Sequence, residues 1–579
     1  MSKVAEKEVE IEASDDDSDT TIQWTGWKTN TIHRKLGSGD SGLPLASEDF
    51  VAEIWAHMLD EERDSILNSW ASRRSAPVYV ASLCSGTDAP IVALGDCQSV
   101  YNRAIVGRCG DGLVPNPCCY VQTLACELDV AKRRYIRANS ALPVWPLVFH
   151  RIEQVSTQKY AQEGPAANGS GPFKRVPRHD VMLWSSFSCK SASTENANRN
   201  SNGSCIEDGS GETGETFVGT VDFASSEDGN TKLGVSENVI GLMKKFGAGD
   251  GQLALGGVAS TTASDDEGQL DLVEHQRAAV AVPSDIGNSN MAALSSRFAG
   301  KGFIVVSVPL NNKWFLLPHS RWRVWFIYCH PARLQITIED AWDRMQRFLA
   351  CLNRLVVSLT YLTLDIGHLL LKDTDPRIVK MVVDLERRKE SLVDEVPAAP
   401  SKRLRRRHSE DGLGTNWVPS MRKEYDAAGL TWVEPPLGAG TSHGHVGKCE
   451  LNEELEMESV WYHMLPTREK YVLHLIQTRH PCLPGQHRVI VTTRSVGRCC
   501  NQKPSVEECP CLLPHHRYWL EWKHRWIIGP EKMALQGIFQ FDDVGMSPTM
   551  ISDLAGNAVG TSVCAAINMS LMFAFGDVL

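Results

Sequence analysis

The sequence lacks the features that would mark a membrane or secreted protein. Its longest apolar stretch, residues 349–371, is interrupted by Asn353, Arg354, Asp365 and His368, which is typical of a packed helix rather than a membrane span. No apolar core follows the first lysines, as a secretion signal requires. We therefore expect neither a membrane segment nor a signal peptide.

The chain also lacks a disulfide framework. Its 17 cysteines are odd in number and scattered, unlike the spaced cysteines of a small secreted domain, so we expect a reducing intracellular compartment. One late group of thiols and imidazoles has ligand types that zinc uses, but it lacks clean paired Cys-x-x-Cys spacing. Its members are Cys499, Cys500, Cys509, Cys511, His515 and His516. We predict no bound metal, with a zinc site as the alternative.

An excess of basic charge is missing as well. The net charge of -11 argues against a nucleic-acid partner, because phosphate binding depends on clustered Lys and Arg. However, residues 1–20 hold eight Asp or Glu against two Lys, which contributes -6 and leaves -5 for the rest. We interpret residues 1–40 as an acidic disordered tail. The basic run at 402–407 predicts nuclear import or a phosphate-contacting loop, with a solvated linker as the alternative.

What the chain does have is enough apolar sequence, 42% of its residues, for a sizeable core with strands and helices in alternation. Three short apolar runs, at 78–84, 120–128 and 180–187, read as strands, and helix-like segments follow the first two. This alternation predicts an α/β fold, a doubly wound and mostly parallel sheet with helices on both faces. Ligands of such sheets bind beyond the carboxyl ends of the strands.

Between these elements lie segments poor in apolar residues, at 156–178, 192–231 and 246–290, which we interpret as surface loops or insertions. Further along, the alternating pattern at 302–308 and the apolar residues 324–328 predict a pair of strands.

The change of composition along the chain predicts a division into parts. A helical lead-in at 41–76 precedes a catalytic domain at 77–330. A second, smaller domain at 331–525 contains the basic run. A C-terminal segment at 526–579 ends in a glycine-bounded turn followed by a helix of small residues.

A turn after the first strand has the composition of a cofactor loop. Ser85, Gly86, Thr87 and Asp88 can bring backbone N–H groups and small side chains close to a ligand at a helix N-terminus. Glu127 closes the next strand, where doubly wound folds use an acid to accept hydrogen bonds from ribose hydroxyls. Together they indicate a nucleoside cofactor, with a tight turn and a surface glutamate as the alternative.

A candidate nucleophile ends the third strand. A lysine beside Cys189, at position 190, can lower a thiol pKa, although a buried structural cysteine is the usual alternative. Glu237 and Asn238 follow an apolar position, and Arg321 and Arg323 are spaced so that both point to one side of a strand. A nucleophile, an acid and a cation together predict an active site.

Seven segments resemble, in order, the successive motifs of cytosine-5 DNA methyltransferases. They are SLCSGTDAPIVAL, ACELDVAKRRYIRAN, DVMLWSSFSCKSAS, SENV, GFIVVSVPLNNKWFLLPHSRWRVWFI, MALQGIFQFDD and LAGNAVGTSVCAAI. A large divergent region separates the fifth from the sixth, where this family holds its target-recognition domain. The resemblance spans most of residues 78–574.

The resemblance implies the fold of S-adenosylmethionine-dependent methyltransferases and that molecule as cofactor, with Asn557 near it and the 331–525 part as the target-recognition domain. It implies that Cys189 attacks carbon 6 of a cytosine flipped out of double-stranded DNA, and that Glu237 holds and protonates the ring nitrogen. Arg321 and Arg323 would fix the base carbonyl, and Asn238 would brace the loop that carries the cysteine. A nuclear location follows from the DNA substrate and the basic run.

The chain departs from the family pattern at several positions. Ser188 stands where the family usually has proline, Lys190 and His319 where it usually has glutamine, and Arg151 where an acid is usual. GTDA replaces the usual glycine-rich cofactor turn. Two alternative functions therefore stay open: a transfer-RNA cytosine-5 methyltransferase, as in one branch of the family, and a catalytically inactive nucleic-acid-binding homologue.

Overall fold

The computed structural model describes most of the chain from residue 46 to its last residue. The described residues are 46–73, 77–84, 86–109, 119–142, 148–149, 181–189, 206, 209, 211–226, 230–243, 290–394, 417–432, 459–500 and 505–579. The predicted acidic tail, the basic run at 402–407, and Ser85, Arg151 and Lys190 lie outside them. So do residues 156–178 and all but the last residue of 246–290.

Eleven strands lie in the described part of the chain. They are β1 Val78–Leu83, β2 Tyr120–Cys126, β3 Val148–Phe149, β4 Val181–Ser185, β5 Thr231–Val239, β6 Ile304–Asn311, β7 Trp322–Cys329, β8 Arg488–Val491, β9 Ser505–Val506, β10 Tyr518–Leu520 and β11 Arg525–Trp526.

In the same part of the chain, some helices alternate with these strands and others follow one another directly. They are α1 Ser47–Ala56, α2 Asp60–Ser72, α3 Ala89–Cys109, α4 Val130–Asn139, α5 Gly211–Ser225, α6 Asn290–Ala299, α7 Pro331–Leu334, α8 Ile338–Thr360, α9 Pro376–Asp394, α10 Trp417–Ala427, α11 Val460–His463, α12 Thr467–Arg479, α13 Val496–Cys500, α14 Gly529–Ala534, α15 Pro548–Asn557 and α16 Thr561–Phe575. Short 3-10 turns occupy Ile240–Met243, Asn312–Phe315, Ile366–Leu369 and Glu521–Lys523.

Seven strands form one sheet in the order β3-β2-β1-β4-β5-β7-β6. The pairs from β3 to β5 are parallel, and β7 runs antiparallel to both β5 and β6. The predicted α/β fold with a mostly parallel sheet is confirmed, and so is the predicted strand pair, which forms β6 and β7. Because strand order reverses between β1 and β4, a crevice opens there at the carboxyl ends of the strands.

One prediction about the loops was wrong. Residues 192–231 were expected to be a surface loop or insertion, yet residues 211–225 form α5. Phe217 and Phe223 of α5 are buried in the hydrophobic core beside the sheet, next to Phe187. The segment as a whole is polar, but its few apolar residues fall on one side of a helix, and that is sufficient to bury it.

A second, four-stranded sheet has the order β11-β10-β8-β9 and comes from the later part of the chain. A separate hydrophobic cluster surrounds it, with Trp461, Tyr471 and Trp519 among its buried members. The helix α8, which follows the first sheet, packs instead against the C-terminal helix α16. The proposed boundary at residue 331 stays a prediction.

The lead-in forms two helices, α1 and α2, which pack on α3 and α16. The span Pro548–Phe575 has the length and hydropathy of a membrane helix, but 94% of its most apolar window is buried inside the protein. Such burial is typical of a core helix, and α16 contributes Val563, Ile567 and Leu571 to the core.

Candidate active site

The loop that carries Cys189 leaves the carboxyl end of β4 and is held from two sides. Asn238, near the end of β5, donates from Nδ2 to the carbonyl oxygens of Phe187 at 2.8 Å and Ser188 at 3.5 Å. On the other side, the Ser188 amide donates to Thr216 Oγ1 at 3.0 Å, and its hydroxyl donates to Glu212 Oε1 at 3.1 Å. Both partners lie on α5, the helix that the sequence analysis missed.

Ser188 thus has a specific role in this loop. A proline at this position has no N–H and could not bond Thr216. The two hydrogen bonds of Ser188 hold the loop against α5. A proline would instead stiffen the loop by restricting its backbone dihedral φ.

Glu237 and Arg323 form a buried ion pair beside the thiol. Antiparallel pairing of β5 with β7 sets Val239 opposite Arg323, so the arginine side chain lies diagonally across from Glu237. Its Nε is 2.6 Å from Glu237 Oε1, and the two side chains are only 10% and 9% exposed. At this burial a charge needs a partner, and each provides one for the other.

The electrostatics at Cys189 have opposing contributions. Burial is the largest and raises the pKa of the thiol above its ordinary value, and the Glu237 carboxylate raises this pKa further. The positive charges of Arg323 and Arg321 lower it. The pKa of Cys189 is raised overall, so the thiol is protonated near neutral pH in the free protein.

Arg321 sits just before β7 and is almost fully buried, with 3% exposure. Its Nη1 donates to the carbonyl oxygens of Leu512 at 2.6 Å and Gly556 at 3.0 Å. Burial and the nearby Arg323 lower the pKa of this guanidinium. Arg321 and Arg323 therefore share a site but have different partners.

A cleft lies beyond the ends of β1 and β4, with about 340 Å³ of empty space that is partly open to solvent. Four of the six predicted cofactor residues line it: Gly86, Thr87, Asp88 and Asn557. The sequence analysis missed Trp184, Ser185 and Ser186, which line the same cleft from β4 and the loop that leads to Cys189. Their position at the end of a strand, just before Cys189, could have predicted that they line the site.

Glu127 lies at the edge of this site. Its Oε2 accepts from the Gly86 amide at 2.8 Å, and its Oε1 accepts from the Asp129 amide at 3.0 Å. Gly86 has a φ of +54°, and an added Cβ there would meet nothing within 4 Å. The turn thus presents its open side to the cleft, with the carboxylate fixed beside it.

Asp88 is the unusual member of the turn. It is 3% exposed, and its φ of +55° is a conformation that glycine adopts more readily. Its Oδ2 accepts from Gln122 Nε2 at 2.7 Å. Burial raises the pKa of Asp88 to about 7, although hydrogen bonds from Gln122 and Ser82 lower it.

His319, which replaces the family's glutamine, is fully buried, and its Nε2 lies 2.9 Å from Asn312 Nδ2. Burial and the charges of Arg321 and Arg323 lower the pKa of His319 well below its ordinary value, so the ring is neutral. The histidine therefore adds no positive charge to the two arginines.

The alternative of a zinc site finds no support in the geometry. All six cysteines and histidines of that hypothesis are described, and among the residues that the structure covers no three His, Cys, Asp or Glu side chains are grouped as a metal would require. Cys499, Cys500 and Cys509 are buried thiols, and burial raises the pKa of each.

No protein-family model and no curated protein sequence matches the chain. Solved structures similar to it include an E. coli DNA modification methyltransferase encoded within a prophage, at 14% identity and a TM-score of 0.36, covering 85% of this chain and 98% of that one. Spodoptera frugiperda DNMT2 matches at 10% identity and 0.34, covering 85% and 99%, and the S. pombe Dnmt2 methyltransferase at 11% and 0.32, covering 86% and 98%.

Proposed function

We propose that this protein transfers a methyl group from S-adenosylmethionine to carbon 5 of cytosine in DNA. One observation carries the proposal: a braced thiol, Cys189, lies with the buried Glu237–Arg323 pair next to a cleft at the switch point of a parallel sheet. This arrangement supplies a nucleophile, an acid and a cation in one place, which is what addition to an electron-poor ring requires.

The cleft has properties that suit the proposed cofactor. Two buried polar atoms of its lining residues, Asp88 Oδ1 and Trp184 Nε1, have no hydrogen-bond partner among the described residues, and an acceptor and a donor of this kind suit a polar ligand. Glu127 would accept from ribose hydroxyls, and Gly86, Thr87 and Asn557 would enclose the rest. When bound, S-adenosylmethionine supplies an electrophilic methyl group.

The residues of the chain would act in sequence. The Cys189 thiol first gives its proton to water, with Arg323 and Arg321 favouring the thiolate. The thiolate then forms a bond to carbon 6, and the electron pair of the 5,6 double bond makes carbon 5 nucleophilic. Glu237 holds the ring nitrogen and shares a proton with it, which limits the negative charge that builds up on the ring. Arg323, which already pairs with Glu237, holds the base carbonyl. After carbon 5 is methylated, its proton passes to water and the bond from sulfur to carbon 6 breaks, which restores the thiolate and the aromatic ring.

The target base has to leave the double helix, because carbon 6 is inaccessible in a stacked duplex. We propose that residues 331–525, which include the second sheet, hold the DNA opposite the site and that their basic run contacts phosphate. The same run would act as a nuclear import signal. A reporter protein fused to residues 395–416, with and without the basic residues changed to alanine, tests this location by microscopy.

The experiment that tests the function is covalent trapping. The full chain is incubated with S-adenosylmethionine and duplex DNA or a matched RNA, each carrying 5-fluorocytosine, which blocks the elimination step. We expect an adduct on DNA that survives denaturation, with loss of the adduct in Cys189→Ala. An adduct on RNA alone would favour the transfer-RNA alternative.

The control is Cys482→Ala, a second partly exposed thiol, whose hydrogen bonds are to the carbonyl oxygens of Leu483 and Gln486 and which leaves the proposed nucleophile in place. Failure to trap either nucleic acid, while binding persists, would favour the inactive homologue and contradict the proposal.

A further inference from the structure

The side chain of Arg321 connects two stretches of chain that are distant in sequence. Its Nη1 bonds the carbonyl of Leu512, in residues 509–514, and the carbonyl of Gly556, at the end of α15. We name residues 509–514 the crossing segment. Because this nitrogen already has two carbonyl acceptors, it is placed to hold the two stretches together.

The crossing segment is fixed to both the active site and the second sheet. Next to Arg321, the Ser320 amide donates to Cys509 O at 3.1 Å, and the Cys509 amide donates to Pro318 O at 2.7 Å. At its other end, the Leu513 amide donates to the hydroxyl of Tyr518, the first residue of β10, at 2.7 Å. A movement of this segment would therefore reach both Arg321 and β10.

The crossing segment also packs tightly against α15. A Cβ added at Gly556 would lie 2.3 Å from the Pro514 nitrogen and 2.5 Å from the Leu513 carbonyl carbon, so only glycine permits the contact. His515 Nε2, just beyond the segment, lies 3.2 Å from Asp553 Oδ1 on the same helix. The end of α15 and the crossing segment thus form one packed unit.

The same end of α15 belongs to the cofactor cleft. Asn557, Ala558 and Val559 line the cleft directly after Gly556. Earlier on α15, Asp553 Oδ2 lies 3.6 Å from Lys132 Nζ of α4. A ligand that orders residues 557–559 therefore acts on the residue whose carbonyl Arg321 holds.

We infer that Arg321 is a positioning residue that couples occupancy of the cofactor cleft to the crossing segment, and through it to the second sheet. This inference rests on the proposed function, because it takes the cleft as the cofactor site. It separates the two arginines: Arg323 serves the reacting base, and Arg321 joins the cofactor side to the nucleic-acid side. An arginine suits this role because its planar fork offers donors in fixed directions, whereas lysine has a single flexible ammonium.

Hydrogen–deuterium exchange on the full chain tests the coupling, with S-adenosylhomocysteine as the probe and calorimetry to establish its binding. Binding should slow exchange of peptides that cover residues 86–88 and 557–559, and also of the peptide that covers the Cys509 and Leu513 amides. We expect slowing of the crossing segment by about fivefold or more, the lower range of typical coupling between sites. In Arg321→Lys the cleft should still be protected, while the crossing segment should not respond.

Two further variants accompany the test. Arg333→Lys is the matched control, because Arg333 also donates to main-chain carbonyls, of Ala224 and Ser225, both at 2.7 Å, but bonds no residue of the crossing segment. It should behave like the parent chain. Gly556→Ala should uncouple the segment as Arg321→Lys does, since the added methyl group forces the segment away from α15.

Each result has one meaning. If the probe binds and protects the cleft of the parent chain while the crossing segment is unchanged, the coupling is disproved and the proposed function is unaffected. If the segment responds equally in Arg321→Lys, Arg321 is not the link. If calorimetry detects no binding of the probe to the parent chain, the proposed function fails at its cofactor and the coupling falls with it.

Discussion

Ser188 directly precedes the proposed nucleophile, at a position where the resemblance leads us to expect proline. Its amide and hydroxyl bond Thr216 and Glu212 of α5 at 3.0 and 3.1 Å. Rigidity of the loop therefore comes from hydrogen bonds to a helix, and these can be removed one at a time.

Thr216→Val removes the acceptor of the Ser188 amide while it keeps the shape of the side chain. We expect kcat for methyl transfer to fall on the order of tenfold with KM little changed, because a displaced nucleophile loses alignment rather than substrate binding. Thr220→Val is the control, since Thr220 lies one turn further along α5 and its hydroxyl donates to the Thr216 carbonyl, at 2.9 Å, within the same helix. Equal kinetics in the two variants would show that the hydrogen bond has no part in positioning Cys189.

Asp88 makes stability depend on pH. Its pKa rises from 3.8 to about 7 on folding, so the folded protein binds the proton more tightly than the unfolded chain. This stabilising contribution is complete below pH 3.8 and is lost as the pH rises through about 7. At pH 8 the buried carboxylate costs at most about 4 kcal/mol, since each pKa unit is worth about 1.4 kcal/mol.

Asp88→Asn removes this cost and keeps an acceptor for Gln122. We expect the variant to unfold at a higher Tm than the parent chain at pH 8, with the difference shrinking as the pH falls toward 5. Thermal unfolding at a series of pH values measures it. A Tm difference that does not vary with pH would contradict the raised pKa.

At the scale of elements, α14 is joined to the second sheet by a buried ion pair. Arg525 of β11 donates to both carboxylate oxygens of Glu531 on α14, at 2.9 and 2.7 Å, and the two residues are 2% and 0% exposed. The same carboxylate accepts from the Leu371 and Ile528 amides, both at 3.0 Å. A single side chain thus satisfies donors from three residues in two stretches of chain.

Glu531→Ala should lower the free energy of unfolding by about 3–5 kcal/mol, because the guanidinium stays buried without its main partner. Glu531→Gln is the matched variant and should lose less, since its amide oxygen still accepts hydrogen bonds. Urea denaturation of both variants provides the measurement. Similar losses for the two would mean that the negative charge of Glu531, rather than the shape and hydrogen bonds of its side chain, holds α14 to the second sheet.

At the scale of the whole molecule, the C-terminal segment packs with elements from the early part of the chain. The helix α16 packs against α1, α3 and α8. Residues 557–559 line the same cleft as residues 82–84 from the early part of the chain. The chain therefore brings its early and late parts together at the site, and the parts that the sequence suggests are not independent of one another.

Ending the chain at Met546 should abolish cooperative unfolding, because removal of α16 exposes the apolar surface of three other helices to water. Circular dichroism during heating checks this. The control ends the chain at Gly576 and loses only the last three residues, including Asp577, which pairs with Arg344 at 2.6 Å. That pair is partly exposed and is worth about 1 kcal/mol or less. A cooperative transition in the shorter chain would disprove the dependence on α16.

The sequence by itself determined the class of fold and the chemistry of the candidate residues. Apolar runs that alternate with helical periodicity require a buried, mostly parallel sheet, and residues that end successive strands have to meet at one edge. For that reason Cys189, Glu237 and Gly86 were predicted to lie near one another, while the resemblance to the methyltransferase motifs supplied the role of each.

Only the tertiary structure decided how those residues are used. The sequence does not distinguish the two arginines at 321 and 323. In the structure Arg323 pairs with a carboxylate, whereas Arg321 donates to the carbonyl oxygens of residues 512 and 556. The helix α5 was not predicted because its segment is mostly polar. Its few phenylalanines are buried only because the sheet packs against them. Partners such as these are brought together by long-range packing, and neither local propensity nor spacing along the chain contains that information.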